Sequence, residues 1–189
     1  MNTLMSILVG VGLASACGLR VFIPLLVVSI AAHFGQLTLG PGFQWIGSNT
    51  ALIGFSVAAA VEVAGYYVPW VDNALDTIAS PSAIMAGTIV SVAVMTNMDP
   101  FYKWALGIIA GGGMAGLVQG TTVVARGASS VGTGGLANPL ISTLELVGSV
   151  VLSILIIIVP ILTFCVLVAV VWFVARRFLR KKQTVAVAG

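Results

Sequence analysis

Long apolar runs fill this chain of 189 residues, and a few ionisable side chains lie inside these runs or at their edges. Only 7% of the residues are charged and 59% are hydrophobic, whereas soluble domains carry about 25% charged residues. So few charges cannot cover a globular surface in water, and a chain this apolar does not have the composition of a disordered one. We therefore predict an all-α, polytopic helical membrane protein whose main solvent is lipid.

Apolar segments of the length that a bilayer requires predict about six transmembrane helices. Residues 3–33 form the first segment, which is too long for one straight span and is interrupted by Pro24. We expect a kinked helix there, or two half-helices that meet near Cys17–Arg20. The other expected spans are residues 50–68, 81–98, 100–125, 139–158 and 161–178.

Polar residues before prolines mark the expected starts of three helices. Ser80, Asp99 and Asn138 each precede a proline, as an N-cap precedes a proline at the first helical position. Val159-Pro160 differs, because valine is not a capping residue. A tight turn there gives six spans, and a kink within one long helix gives five. Aromatic residues at the end of the second span fit an interfacial belt: Tyr66, Tyr67 and Trp70.

A basic cluster near the C-terminus sets the expected orientation. Five of the eight Lys and Arg residues belong to it: Arg176, Arg177, Arg180, Lys181 and Lys182. Because positive charge favours the cytoplasmic side, we expect one transmembrane domain over residues 1–178 and a cytoplasmic basic tail over 179–189. Six spans put both termini in the cytoplasm, and five put the N-terminus outside. The cluster does not have the pattern of a nucleic-acid-binding face.

Two parts of the chain resemble each other, as in transporters built from inverted repeats. Residues 10–20 and 112–122 are small-residue helices that a glycine interrupts, Gly120 in the second case, and a glutamate lies in the apolar span after each. This pattern predicts a 3+3 inverted repeat with broken helices and a polar site near the midplane. The halves would be residues 1–98 and 99–178. A competing match between IASP and LANP implies a different repeat unit.

Gly112, Gly116 and Gly120 keep a spacing that lets helix backbones approach closely in lipid. They predict helix packing within the chain or a homo-oligomer through this face. The two cysteines and the single histidine do not form a metal-binding motif, and the chain has no cofactor fingerprint. We therefore expect no metal, no cofactor and no catalytic residues.

Three ionisable residues within apolar runs are the main candidates for a binding site: Arg20, Glu62 and Glu145. An ionised side chain costs roughly 2.5 kcal/mol or more in hydrocarbon, so such groups tend to face each other or a polar cavity. We expect Arg20 to pair with Glu62 or to attract an anionic group. Burial favours the protonated form of a carboxyl group, as proton coupling requires.

Other polar residues extend this candidate site. Neutral groups that would complete the binding site are Gln119, Thr122 and Asn138, the last of which is also expected to be an N-cap. Residues expected to gate the site or couple it to an ion are Asp72, Asp76 and Arg126, the last of which is placed in a short cytoplasmic loop.

Three segments of the chain, GLASACGLRVFIPLL, YYVPWVDNALDTIASPSAIMAGTI and ANPLISTLELV, together resemble the DUF4126 family of small bacterial membrane proteins. The resemblance covers about residues 15–150. It implies a polytopic protein of the bacterial cytoplasmic membrane, and it assigns no activity. The motif positions are Gly18–Arg20, then Glu62, Pro69, Asp72 and Asp76, then Asn138, Pro139, Ser142 and Glu145. The family pattern often has a lysine near Thr122, and its absence weakens a symmetric two-cation site.

These observations favour a small transporter or channel-like carrier for a small solute, an ion or an anionic lipid headgroup, because they combine broken helices with intramembrane charges. The alternative is a membrane scaffold or assembly subunit whose buried charges only hold helices together. An intramembrane enzyme that uses Glu62 and Asp76 is a third reading, which the lack of a catalytic motif disfavours. Membrane lipids are the expected surroundings.

Overall fold

The computed structural model describes residues 2–68 and 71–187, and all regular structure in these ranges is helical. This confirms the predicted all-α class. A 3-10 helix at Gln44–Gly47 precedes α3, and a π-helical stretch at Gly107–Gly112 joins α5 to α6. The α-helices in the described ranges are α1 (Thr3–Cys17), α2 (Phe22–His33), α3 (Asn49–Gly65), α4 (Val71–Val94), α5 (Pro100–Leu106), α6 (Gly113–Thr133), α7 (Asn138–Ile158) and α8 (Pro160–Val187).

The helices have the length and composition of a membrane protein. Three stretches of the described residues are long and apolar enough to cross a bilayer: Ala74–Val94, Pro100–Thr133 and Asn138–Ile158. Shorter apolar helices complete the bundle at Thr3–Cys17, Phe22–His33, Asn49–Gly65 and Pro160–Val170. Many large apolar side chains on these helices are exposed to the surroundings of the bundle, as lipid-facing residues are.

The first apolar segment doubles back on itself. The predicted pair of half-helices is confirmed, since α1 ends at Cys17 and α2 begins at Phe22. Near the start of α1, Thr3 Oγ1 donates a hydrogen bond to the Asn97 carbonyl at 3.4 Å. In the loop after α2, Gly40 N donates to the Ala93 carbonyl at 2.7 Å. The start of α1 and the loop after α2 therefore both lie beside the C-terminal end of α4.

It follows that residues 18–21 form the tip of a helical hairpin, and the alternative of one kinked helix over residues 3–33 is wrong. A hydropathy pattern shows where a helix breaks but not in which direction the chain leaves the break. The number of crossings and the side of each terminus stay predictions.

Small residues join α1, α4 and α6 into a tightly packed block. Ser91 Oγ donates to the Gly10 carbonyl at 2.9 Å. A Cβ on Gly87 would lie 2.6 Å from the Cβ of Ala115 and 3.2 Å from that of Ala14. Helices in lipid pack by such close backbone approach. Gly112 and Gly116 also face α4, whereas a Cβ on Gly120 would meet nothing within 4 Å. The predicted role in helix packing is thus confirmed for Gly112 and Gly116. A homo-oligomer through this face stays a prediction.

Helices α2 and α3 form a second unit through the loop that connects them. Ser29 Oγ donates to the Ile46 carbonyl at 2.6 Å. Nδ1 of His33 lies 3.0 Å from the Gly47 carbonyl oxygen. Ser48 then caps α3, because its side chain accepts a hydrogen bond from Ala51 N. These contacts hold the loop end of α2 against the start of α3.

The predicted helix starts have different outcomes. Asp99 is confirmed as an N-cap, since its side chain accepts from Phe101 N. Ser80 is not an N-cap, because α4 continues through Pro81 and the Ser80 hydroxyl bonds back to the Asp76 carbonyl at 2.9 Å. Such prolines are tolerated in membrane helices, where side chains and neighbouring helices satisfy the freed backbone groups. Asn138 is also not an N-cap, because it is the first residue within α7.

The later helices differ in extent from the prediction. Helix α6 is continuous through Gly120, so this residue does not interrupt it and the match with residues 10–20 loses that feature. A single non-helical residue, Val159, separates α7 from α8, with φ −132° and ψ 68°. The backbone of α8 is helical to Val187 and thus includes most of the predicted tail.

Candidate functional site

Buried ionisable side chains from several helices converge beside the tip of the α1–α2 hairpin. We call the following residues the polar cluster: Arg20, Glu62, Tyr66, Asp76, Arg126 and Glu145. All are buried except Asp76, whose side chain is 12% exposed. The predicted binding residues Arg20, Glu62 and Glu145 are therefore brought together, along with two of the predicted gating residues. In lipid surroundings such convergence is how charges avoid hydrocarbon.

Arg20 lies at the hairpin tip and is 2% exposed. Its Nη2 donates to the Ser142 carbonyl at 3.0 Å and forms an ion pair with Glu145 Oε2 at 3.4 Å. Its Nε and Nη1 atoms are buried and have no hydrogen-bond partner among the described residues. The expected Arg20–Glu62 ion pair is wrong, since Glu145 is the partner. A fully buried guanidinium thus keeps two donor atoms for another group.

Glu62 serves as a cap supplied from a different helix. Its Oε1 accepts from Val21 N at 2.7 Å and its Oε2 from Phe22 N at 3.0 Å. The start of α2 has no side-chain cap of its own. The carboxylate therefore satisfies free N–H groups at a helix N-terminus, where the helix dipole favours negative charge. This role couples the end of α3 to the hairpin tip.

Arg126 is the second buried cation of the cluster, and it lies within α6 rather than in the predicted loop. Its Nε donates to Glu145 Oε1 at 3.2 Å, and its Nη2 forms a very short contact with Glu145 Oε2. Its Nη1 pairs with Asp76 Oδ1 at 3.2 Å. Arg126 is thus held by two carboxylates, one of which also pairs with Arg20.

Tyr66 joins the two cations, although the sequence predicts it to be an interfacial residue. The Arg20 guanidinium carbon lies 3.7 Å from the ring centroid, and that of Arg126 lies 4.1 Å from it. Desolvated cation–π contacts of this kind contribute about 2 kcal/mol or more each. Of the other residues of the predicted aromatic belt, Tyr67 is exposed and Trp70 lies outside the described residues.

Two further contacts join the end of α3, the start of α4 and the first part of α7. Asn138 Nδ2 donates to Asp72 Oδ2 at 3.0 Å, which joins the start of α7 to the start of α4. The hydroxyls of Tyr67 and Thr143 lie 2.8 Å apart. We call these two contacts the latch. Asp72 and Asn138 are themselves buried, and they lie on the helices that carry Asp76 and Glu145 of the cluster.

The cluster lies nearer to one end of the helices than to their middle. Glu62 is close to the end of α3, and Arg126 and Glu145 are each seven residues from an end of their helix. At 1.5 Å per residue this is roughly 10 Å from the helix ends. The site is thus displaced from the centre of the helices towards the latch, and its depth in a membrane stays a prediction.

The predicted neutral residues take little part in the cluster. Gln119 is buried on α6, two turns before Arg126. The Thr122 hydroxyl donates to the Gln119 carbonyl of its own helix at 2.9 Å. The described residues contain no group of three or more His, Cys, Asp or Glu side chains that could hold a metal ion. Sequence reasoning missed Tyr66 as a site residue, although its spacing of four from Glu62 places both on one helix face.

Comparison with known proteins connects the cluster to one family. The model of the family described as Domain of unknown function (DUF4126) matches residues 7–180. The chain belongs to the DUF4126 family. No curated protein and no solved structure matches it. The match confirms the resemblance seen in the sequence and extends it at both ends.

The DUF4126 match includes every residue of the polar cluster and the latch. Of the motif positions named from the sequence, Pro69 lies outside the described residues. The missing lysine near Thr122 does not remove the second cation, because Arg126, one helical turn later, supplies it. The family description gives no activity, so the function has to be argued from the geometry of the site.

Proposed function

We propose that this DUF4126 protein is a small membrane carrier whose polar cluster binds an anionic group, either of a small solute or of a lipid headgroup. The observation that carries the proposal is that Arg20 is buried with two donor atoms to which no described residue bonds. This guanidinium is buried at the tip of a doubled-back helix pair, with Nε and Nη1 unpartnered among the described residues. Arginine stays ionised when buried and binds oxyanions through its planar fork.

A purely structural arginine would have most of its donors satisfied, because an unpaired buried charge is costly. Arg20 instead relies on one carbonyl, one carboxylate that it shares and one aromatic ring. Doubled-back and broken helices recur at the binding sites of transporters, where backbone and side-chain groups face the substrate. These features support a site that a ligand completes.

The carboxyl groups of the cluster and the latch leave Nε and Nη1 of Arg20 without a partner among the described residues, because three of these groups bond elsewhere. Glu62 accepts two backbone N–H groups. Asp76 pairs with Arg126. Asp72 accepts from Asn138 at the latch. Glu145 is the carboxyl group that forms an ion pair with Arg20 among the described residues.

We also propose that the protein lies in the bacterial cytoplasmic membrane with its basic C-terminal segment at the cytoplasmic face. The positive-inside rule and the family resemblance support this orientation. The latch residues Asp72 and Asn138, together with Arg126 and Asp76, would then open and close access to the cluster from one side.

The test is flux into liposomes that contain the purified protein. The panel comprises radiolabelled lactate, gluconate, phosphate and chloride, together with a fluorescent phosphatidylglycerol whose movement between leaflets is followed. We expect wild type to move at least one probe and Arg20→Lys, which keeps the charge but loses the planar fork, to lose most of that flux. The matched control is Arg176→Lys at an exposed position on α8, which should transport normally. Absence of wild-type flux for every probe would overturn the proposal.

The alternative, a scaffold held together by buried charge, is favoured by the closed Arg126–Glu145–Asp76 network. It predicts that Arg20→Met keeps both the fold and the cellular function, because Glu145 keeps its ion pair with Arg126 in this variant. The carrier proposal predicts that this variant folds but does not transport.

A further inference from the structure

We infer that the Glu145 carboxylate is a tethered occupant of the anion site, and that it gives way to a substrate monocarboxylate when it takes up a proton. The protein would then move one proton together with one carboxylate anion. This inference rests on the proposed carrier function, and it adds the substrate class and the coupling ion.

The first argument is the geometry around Glu145. Its two oxygens face the Nε–Nη2 edge of Arg126, which is the planar fork that carboxylates prefer. Its Oε2 also lies 3.4 Å from Nη2 of Arg20. One carboxylate thus bridges two guanidinium groups. Because the donors are already arranged around a carboxylate, a substrate with the same group matches them without rearrangement of the arginines.

The second argument is charge balance. A change of net charge in a buried site is costly, since the low dielectric strengthens every unbalanced interaction. A proton that binds Glu145 adds one positive charge, and a monocarboxylate that enters adds one negative charge. The net charge of the cluster is then the same before and after the exchange. With the two arginines and three carboxylates of the cluster ionised, an anion alone would add to an existing negative charge. The anion therefore enters at constant net charge only together with the proton.

The third argument is that the other acidic groups around Glu145 have partners of their own, whereas both arginines contact Glu145. Arg20 of the hairpin tip and Arg126 of α6 contact it directly. Glu62 of α3 caps α2, and the Tyr66 ring of the same helix contacts both arginines. On α4, Asp76 pairs with Arg126 and Asp72 belongs to the latch. The only titratable side chain of α2, His33, contacts Gly47 at the opposite end of that helix.

Polar groups on α7 link the latch to Glu145. Asn138, Ser142 and Glu145 lie on one buried face of this helix. Asn138 Oδ1 and the Ser142 hydroxyl are buried and have no hydrogen-bond partner among the described residues. Together with Nε and Nη1 of Arg20, they offer both donors and acceptors to a carboxylate and its polar substituents. The displaced Glu145 side chain and the substrate would share this face.

The test compares wild type with Glu145→Gln, which keeps the size of the side chain and cannot be protonated. We expect an inward proton gradient to accelerate lactate or gluconate uptake by wild type, with proton entry followed by a trapped pH dye. In Glu145→Gln, the acceleration should be lost, while exchange of labelled for unlabelled carboxylate across the membrane continues. The matched control is Asp99→Asn, since asparagine also caps helices and Asp99 is exposed. This control should behave as wild type.

The outcomes separate the two proposals. The inference is overturned if a proton gradient does not change carboxylate uptake by wild type. It is also overturned if uptake by Glu145→Gln still responds to the gradient. Neither result contradicts the proposed carrier function. Flux restricted to phosphate, chloride or lipid overturns the substrate class alone. Glu145→Asp covers the case in which Glu145→Gln does not fold, because it keeps a titratable carboxyl and should retain gradient-driven uptake. A folded Glu145→Asp protein that exchanges carboxylates without proton coupling also contradicts the inference.

Discussion

Tyr66 holds together two guanidinium groups that would repel each other in a medium of low dielectric. Both Arg20 and Arg126 contact its ring, and Glu145 bridges them on their other sides. The ring therefore orients Arg20 as well as stabilising its charge. Removing the ring should disturb the binding site even though Tyr66 itself forms no ion pair.

We predict that Tyr66→Phe lowers the melting temperature less than Tyr66→Leu does. Phenylalanine keeps both cation–π contacts with the arginines and loses only the hydroxyl group. Leucine loses both cation–π contacts as well, which contribute about 2 kcal/mol or more each when desolvated. Thermal unfolding of detergent-purified protein measures the order. Equal destabilisation by the two variants would contradict a role for the ring.

At the level of residues, the cost of charge in lipid is enough to identify Arg20, Glu62 and Glu145 from the sequence. It is not enough to identify their partners. Glu62 and Glu145 look alike in sequence, yet one caps a helix and the other bridges two arginines. The difference depends on which helices meet, and no local pattern in the chain carries that information.

At the level of helices, glycines set how closely α6 and the π-helical stretch approach α4. A Cβ on Gly111 would clash with the Ser91 side chain and lie 3.0 Å from the Gly87 carbonyl oxygen. The same addition on Gly120 meets no atom within 4 Å. The two positions therefore separate packing from the intrinsic helix propensity of glycine.

We predict opposite effects for Gly111→Ala and Gly120→Ala on thermal stability in detergent. Gly111→Ala should destabilise by about 1–3 kcal/mol, the usual cost of overpacking. Gly120→Ala should be neutral or should stabilise by up to about 1 kcal/mol, because alanine is the better helix former. If Gly111→Ala is as stable as wild type, the close α4 contact does not exist in the folded protein.

Capping rules from the sequence succeed where a helix starts in a polar loop and fail inside the bundle. Asp99 lies at an exposed start and caps α5. Ser80 also precedes a proline, but its helix continues, because a broken helix would expose unpaired backbone groups to lipid. Asn138 donates across the latch instead of capping its own helix. Tertiary partners decide between these outcomes.

For the whole molecule, the doubled-back first segment predicts that the N-terminus and the loop after α2 lie on the same side of the membrane. Single cysteines at Thr3, Gln36 and Gly134 in a background without the native cysteines would test this. A membrane-impermeant maleimide should label the first two from one side, in intact cells or in inverted vesicles, and the third from the other side. The Gly134 variant is the control for sidedness. Labelling of Thr3→Cys and Gln36→Cys from opposite sides would contradict the hairpin formed by α1 and α2.

Glu62 connects α3 directly to the tip of the α1–α2 hairpin. One end of α2 is tied to α3 through the Gln44–Gly47 turn, and the other end through the two N–H groups that Glu62 accepts. Helix α1, by contrast, is wedged against α4 by close backbone contact. Residues 18–21 connect α1 to α2 and carry Arg20. We therefore expect a tilt of α3 to shift the Arg20 guanidinium relative to its partners on α7.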